Sequence, residues 1–200
     1  MKKIILAAAV IAFGSVASFA QGPSSSANAT LNVLVSNVKS ITVSSGSTVN
    51  INLDDAQKFT AAAGATGVAG DVKSTIDVIS SGPYKVKVSL AGNVTSLKNT
   101  NNNATGITSI PAGNIYLAVS NPRQITTGST APNATFSTTG QNLINTANTL
   151  IATPATASNG NSGTSGTKYD VTYTLANFAD VASLATGTFT ATVVYTITDL

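Results

Sequence analysis

Chemistry in a protein needs acids, bases, nucleophiles or metal ligands, and this chain is sparing with all of them. Its seven acids are all aspartates, and only Asp54 and Asp55 are adjacent. Neighbouring side chains on a strand point to opposite faces, so these two carboxylates converge only where the backbone turns. A calcium loop needs several Asp or Asn oxygens converging on one point. Asn50, Asn52, Asp54 and Asp55 offer such atoms without EF-hand spacing, and the plainer reading is a turn that ends a strand. Asp170, Asp180 and Asp199 stand alone. Serine and lysine are both present, so composition admits a Ser-Lys dyad, yet no motif singles out a pair. The glycine-rich stretch from Gly64 to Gly70 lacks the Lys-Ser/Thr ending of a phosphate loop. Cys, His and Trp are absent. Their absence rules out a Cys nucleophile, a Ser-His-Asp triad and a His- or Cys-ligated metal. Asn-x-Thr triplets at Asn28, Asn93, Asn103 and Asn133 are what a Thr- and Asn-rich chain carries by chance, and they matter only in a host that glycosylates. The residues therefore predict a non-enzyme with no catalytic, cofactor-binding or metal site.

Charge adds little. The 200 residues carry 10 basic and 7 acidic side chains, a formal net charge of +3. Lys2 and Lys3 belong to an N-terminal signal; without them eight basic residues face seven acids. Binding to nucleic acid needs clustered Lys and Arg. The one close basic pair is Lys85 and Lys87, which fall on the polar side of an alternating segment, and Arg123 is the single arginine. No nucleic-acid partner is expected.

Met1-Lys2-Lys3 is a short positive start, Ile4 to Phe13 is apolar, and small residues follow to Ala17-Ser18-Phe19-Ala20. This is the pattern of a secretory signal over residues 1–20, cleaved after Ala20. The apolar run is too short to span a bilayer, which takes about 20 residues. No Cys follows for lipid attachment, and no later apolar segment is long enough to cross a membrane. Removing twenty residues from 200 leaves 180, read as one domain over 21–200 with a flexible tail at 21–28. Export places it outside the cell or on its surface, through the periplasm in transit. Disulfides are common there, but this chain has none to form.

The elements that position these residues show a period of two. Leu31, Val33 and Val35 share one face of a first strand. Val38 to Val43 is a second, and Val49, Ile51 and Leu53 mark a third. Asp54 to Gly70 reads as a loop, with a helical turn open to Ala61 to Ala65. Lys73 to Ile79 and Tyr84 to Leu90 read as a hairpin about Ser80-Ser81-Gly82-Pro83. Asn99 to Gly106 is a polar loop. Ile115, Leu117 and Val119 line one side of a strand from Asn114 to Ser120. Leu143-Ile144 and Leu150-Ile151 anchor a polar region, and Asn159 to Thr167 reads as a linker. Tyr169, Val171, Tyr173 and Leu175 share a face. Gly187 to Thr198 predicts a ribbon roughly 40 Å long, long enough to bend or to serve two sheets. No amphipathic helix is evident. All five tyrosines read as core. These patterns predict an all-β fold, an antiparallel immunoglobulin-like β-sandwich of about eight strands. The 30 threonines suit its solvated faces.

The segments Ala29 to Val35 and Ile41-Thr42-Val43 resemble the first strands of bacterial fimbrial subunits and coat-protein-U-like domains. Thr186 to Ile197 is similar to the last strand of that group. Gly82-Pro83-Tyr84-Lys85-Val86-Lys87-Val88 resembles surface domains of the WxL type. Many chaperone-usher pilins carry a disulfide, and WxL domains are named for a Trp; this chain has neither Cys nor Trp. The resemblance implies a secreted structural surface protein, fimbrial-subunit-like or coat-like, whose partners are copies of itself or other surface-fibre subunits. Leu31, Val33 and Val35 are then the strand-donor residues, inserting into a neighbour's groove; the other outcome is that the same strand pairs within its own domain. The alternative function is an extracellular carbohydrate- or surface-binding module.

Overall fold

The computed structural model describes residues 38–101, 103–126, 135–136, 140–143, 148–152 and 166–200. The signal at 1–20, the tail at 21–28 and the proposed donor residues Leu31, Val33 and Val35 lie outside the described residues. So do Ile144 and residues 159–165 of the linker-like stretch.

The described residues are mostly β, and the named strands pair antiparallel, with one isolated parallel bridge between Ile107 and Leu184. One sheet runs in the order β1 (Lys39–Ser45), β3 (Ser74–Ser80), β11 (Thr167–Leu175), β7 (Ile115–Gln124) and β9 (Gln141–Asn142). β2 (Val68–Ala69) pairs with β11 beyond the end of β3. A second sheet runs β13 (Val193–Asp199), β4 (Tyr84–Leu90), β10 (Asn148–Ala152) and β8 (Thr135–Phe136). A third joins β12 (Phe189–Thr190), β5 (Ser96–Asn99) and β6 (Ser109–Pro111). Among the described residues one α-helix, α1 (Ala56–Ala63), lies between β1 and β2 in sequence.

The period of two assigns faces correctly. Tyr169, Val171, Tyr173 and Leu175 are buried on β11, as are Ile115, Leu117 and Val119 on β7. Tyr84, Val86, Val88 and Leu90 are buried on β4, and one core unites the two larger sheets. Fully burying each Val, Leu or Ile contributes about 1.5–3 kcal/mol. Two tyrosine pairs cross this core. Tyr84 Oη on β4 lies 2.9 Å from Tyr169 Oη on β11. Tyr195 on β13 and Tyr173 on β11 share a second hydroxyl–hydroxyl bond. Each pair lets a large, mostly apolar side chain fill the interior while its polar atom keeps a partner.

Three elements differ from the sequence reading. β3 and β4 form no hairpin; β3 pairs with β1 and β11, while β4 pairs with β13 and β10. Two alternating arms about a Gly-Pro turn look the same whether the chain folds back beside itself or arches across to another sheet. Here Ser80 Oγ donates to the Gly82 carbonyl at 2.8 Å, and Pro83 has no N–H to continue a ladder. Val49, Ile51 and Leu53 keep their alternation, half-buried against the core, but their segment joins no sheet. The expected loop contains α1. Asp55 Oδ1 caps it by accepting from the Lys58 N–H at 2.8 Å, and Ala62 is fully buried, so tertiary packing supports a helix too short to persist alone. The C-terminal ribbon breaks at Ala191-Thr192 and does serve two sheets, β12 in one and β13 in the other.

Tyr84→Ala should destabilise the protein by about 3–5 kcal/mol, and Tyr84→Phe, which removes only the hydroxyl, by about 1 kcal/mol. Urea denaturation followed by circular dichroism measures both.

Candidate functional site

Gly46 ends β1 at a positive φ of 62°, where a Cβ would sit 2.2 Å from the Lys73 carbonyl oxygen. Only glycine fits, and the Ser74 hydroxyl donates to its carbonyl at 2.6 Å. The chain then leaves the sheet and runs extended through Val49, Ile51 and Leu53. A single point ties it down: the Asn50 N–H donates to Asp71 Oδ1 at 2.9 Å, and the Asp71 N–H donates to the Asn50 carbonyl at 2.8 Å. Val49, Ile51, Asn52 and Leu53 make no backbone hydrogen bond to another described residue.

Opposite this segment, residues 184–193 lead into β13. Among the described residues β13 has one ladder partner, β4. Its far end meets the start of β1 through the Lys39–Asp199 ion pair at 2.5 Å. Away from that contact the two edges part, and a cleft of about 830 Å³ opens between them. Val43 and the 46–54 segment form one lip, and residues 184–193 form the other. Leu90, Ile115, Leu143, Leu175 and the Tyr173–Tyr195 pair line the floor. Asp54 is the one charged residue in the lining.

The floor's electrostatics are those of neutral hydroxyls. Burial raises the pKa of Tyr173 and of Tyr195 above the ordinary tyrosine value, and the adjacent Tyr173 adds to the shift at Tyr195. Tyr84 and Tyr169 behave alike, burial being the main cause in each. The rim carboxylates are already engaged. Asp54 pairs with Lys58, whose hydrogen bond holds the acid below its usual range, and Asp55 caps α1. Asn50 is committed to Asp71. Three of the four oxygen-bearing residues weighed for calcium, Asn50, Asp54 and Asp55, thus serve separate local bonds. What the cleft can do is take apolar side chains on its floor while one lip, at Val49, Ile51, Asn52 and Leu53, offers backbone N–H and C=O groups; the 184–193 lip already pairs with β5 and Ile107.

The sequence reading named a donor segment and no cleft to receive it. Leu31, Val33 and Val35 lie outside the described residues. The cleft left one trace in the sequence, the apolar alternation of Val49, Ile51 and Leu53. A second correction concerns aromatics. Tyr84, Tyr169, Tyr173 and Tyr195 pack in or against the core, but Tyr116 alternates with Ile115 and Leu117 and lies on the outer face of β7. No protein-family model matches the chain, and no curated protein matches its sequence.

Because folding raises these four tyrosine pKa values, stability is complete below about pH 10, the unfolded value, and falls as pH rises beyond it. The decline should reach about 1.4 kcal/mol per pH unit for each tyrosine. In an alkaline titration, phenolate absorbance from the paired tyrosines should appear together with loss of the β circular-dichroism signal, and not before it.

Proposed function

We propose that this chain is a secreted, non-enzymatic structural protein of the cell surface, fimbrial-subunit-like or coat-like, whose copies associate by strand pairing. The cleft carries the reading: an apolar floor bordered on one side by Val49 to Leu53, a segment without a ladder partner among the described residues. Its occupant is the Ala29 to Val35 segment of a neighbouring copy. That segment alternates with the period a strand needs, setting Leu31, Val33 and Val35 toward the floor and Asn32 and Leu34 away from it. Seven residues span about 23 Å. In this reading the two larger sheets form an immunoglobulin-like sandwich, supported by their shared core and by the seven described strands of four residues or more that they contain. Export follows from the signal pattern of residues 1–20. Low charge supports self-association, since 8% charged residues leave little like-charge repulsion between copies. Among the described residues no helix is long and apolar enough to cross a membrane.

Deleting Ala29 to Val35, or replacing Leu31, Val33 and Val35 by Asp, should abolish multimers of the mature chain in light scattering. Filaments should disappear from electron micrographs while the β circular-dichroism spectrum persists. A synthetic peptide spanning Asn28 to Asn37 should then raise the melting temperature of the deletion variant. At a hundredfold excess over Kd the stabilisation is about 2.7 kcal/mol. A folded deletion variant that forms the same multimers as the full mature chain refutes strand donation.

A further inference from the structure

Tyr116 stands on β7 directly across the ladder from Thr174 of β11, both on the outward face. Around them the outer face sinks into a depression of about 360 Å³, at the small end of the range for ligand pockets. Ala118 lies two residues along from Tyr116 and also lines it. Gly140 flanks the tyrosine at a φ of 90°, where a Cβ would press to 3.2 Å from Tyr116 Cβ. A larger residue there would crowd the ring.

The polar groups are held in place from behind. Asn177 adopts a left-handed φ of 53°, a conformation few residues other than glycine tolerate. Its N–H donates to the Gly64 carbonyl at the end of α1 at 2.9 Å. Its carbonyl accepts from Asn114 Nδ2 at 2.7 Å. So fixed, Asn177 Nδ2 donates to Tyr116 Oη at 2.9 Å. That bond uses an acceptor position on the phenol and leaves its O–H as a donor, while Asn177 Oδ1 remains an acceptor. Thr66 and Thr174, each with a hydroxyl, line the same depression. No charged side chain lines the depression.

An aromatic ring beside a carboxamide and two hydroxyls, without charge, matches one ligand chemistry well. A pyranose ring offers an apolar C–H face for stacking and an edge of hydroxyls that each donate and accept. We propose that this depression binds a neutral pyranose residue of a glycan, with Tyr116 as the stacking platform and Asn177 as the residue that fixes the ring's hydroxyl edge. The reading is independent of strand-paired assembly, since the depression lies on the outward face of the sheet whose inward face floors the cleft.

The test uses the full mature chain on immobilised neutral oligosaccharides of glucose, galactose, mannose and N-acetylglucosamine, with sialylated and sulfated glycans alongside. Retention on at least one neutral series is expected. Tyr116→Ala should lower affinity about tenfold or more, and Tyr116→Phe, which keeps the ring, about threefold. Asn177→Gly keeps the left-handed backbone and should also weaken binding several-fold, which a purely structural asparagine would not show. Deleting Ala29 to Val35 should leave binding intact, which separates this site from assembly. If Tyr116→Ala fails to fold by circular dichroism, the Phe and Gly variants decide. The proposal is overturned if no neutral glycan is retained at millimolar concentration, if only charged glycans bind, or if binding is indifferent to the Tyr116 and Asn177 variants.

Discussion

Strand β11 sorts the molecule into inside and outside. Its odd-numbered residues from Tyr169 to Leu175 enter the core, where Tyr169 and Tyr173 each bond a tyrosine of the second sheet. Its even-numbered residues face out and carry a polar network. Asp170 accepts from Thr75 at 3.1 Å and from Asn121 at 2.8 Å, and pairs with Arg123 at 2.9 Å. Partial burial opposes the charge on Asp170, but the bonds from Asn121, Arg123 and Thr75 outweigh it and hold the carboxyl below its ordinary range. A one-residue slip in register would drive Asp170 into the core and expose Tyr169. With no disulfide available, that mismatch is what fixes the pairing of β3, β11 and β7.

The cleft follows from the same pairing. β3 fills one side of β11 along its first half, and β2 takes the rest of that side. β7 occupies the other side along its length. An alternating segment such as Val49 to Leu53 finds no place on β11. It can bury its apolar side chains against the core, and it does so, but its backbone is left without a ladder. Gly46 enforces this by turning the chain off β1 where any side chain would strike Lys73. The Lys39–Asp199 contact closes β1 against β13 at one end only, so the trough opens at the other.

Periodicity made the faces legible and the partners illegible. Alternation says which side chains point inward, a local matter of pleat geometry. It does not say which strand lies alongside. Hence Ile115 to Val119 and Tyr169 to Leu175 were readable from sequence, whereas the arch between β3 and β4 resembled a hairpin. The helix escaped because eight residues with an exposed cap give a weak signal, and what secures it is remote: the N–H groups of Asn177 and Phe178 bond carbonyls at its C-terminal end. Tyr116 was misplaced for a different reason. The parity that sends Ile115 and Leu117 inward sends Tyr116 outward, but a chain without Trp invites the assumption that its few large rings are all core.

Consecutive residues of β11 therefore serve different surfaces. Tyr173 and Leu175 form part of the cleft floor, and Thr174 between them lines the depression beside Tyr116. The strand's pleat keeps the two apart, since neighbours along it face opposite ways. An occupant of the cleft works at the edges of the sheets and through apolar side chains. A ligand at Tyr116 works on a broad outward face and through a ring and neutral hydrogen-bonding groups. A subunit that joins its copies along an edge keeps such a face exposed, so each added copy presents another Tyr116 and Asn177. Several weak contacts on one assembled fibre then reinforce one another by raising the local concentration of sites. Each copy carries the depression complete, so the proposed strand pairing would multiply a site that already binds by itself rather than create it.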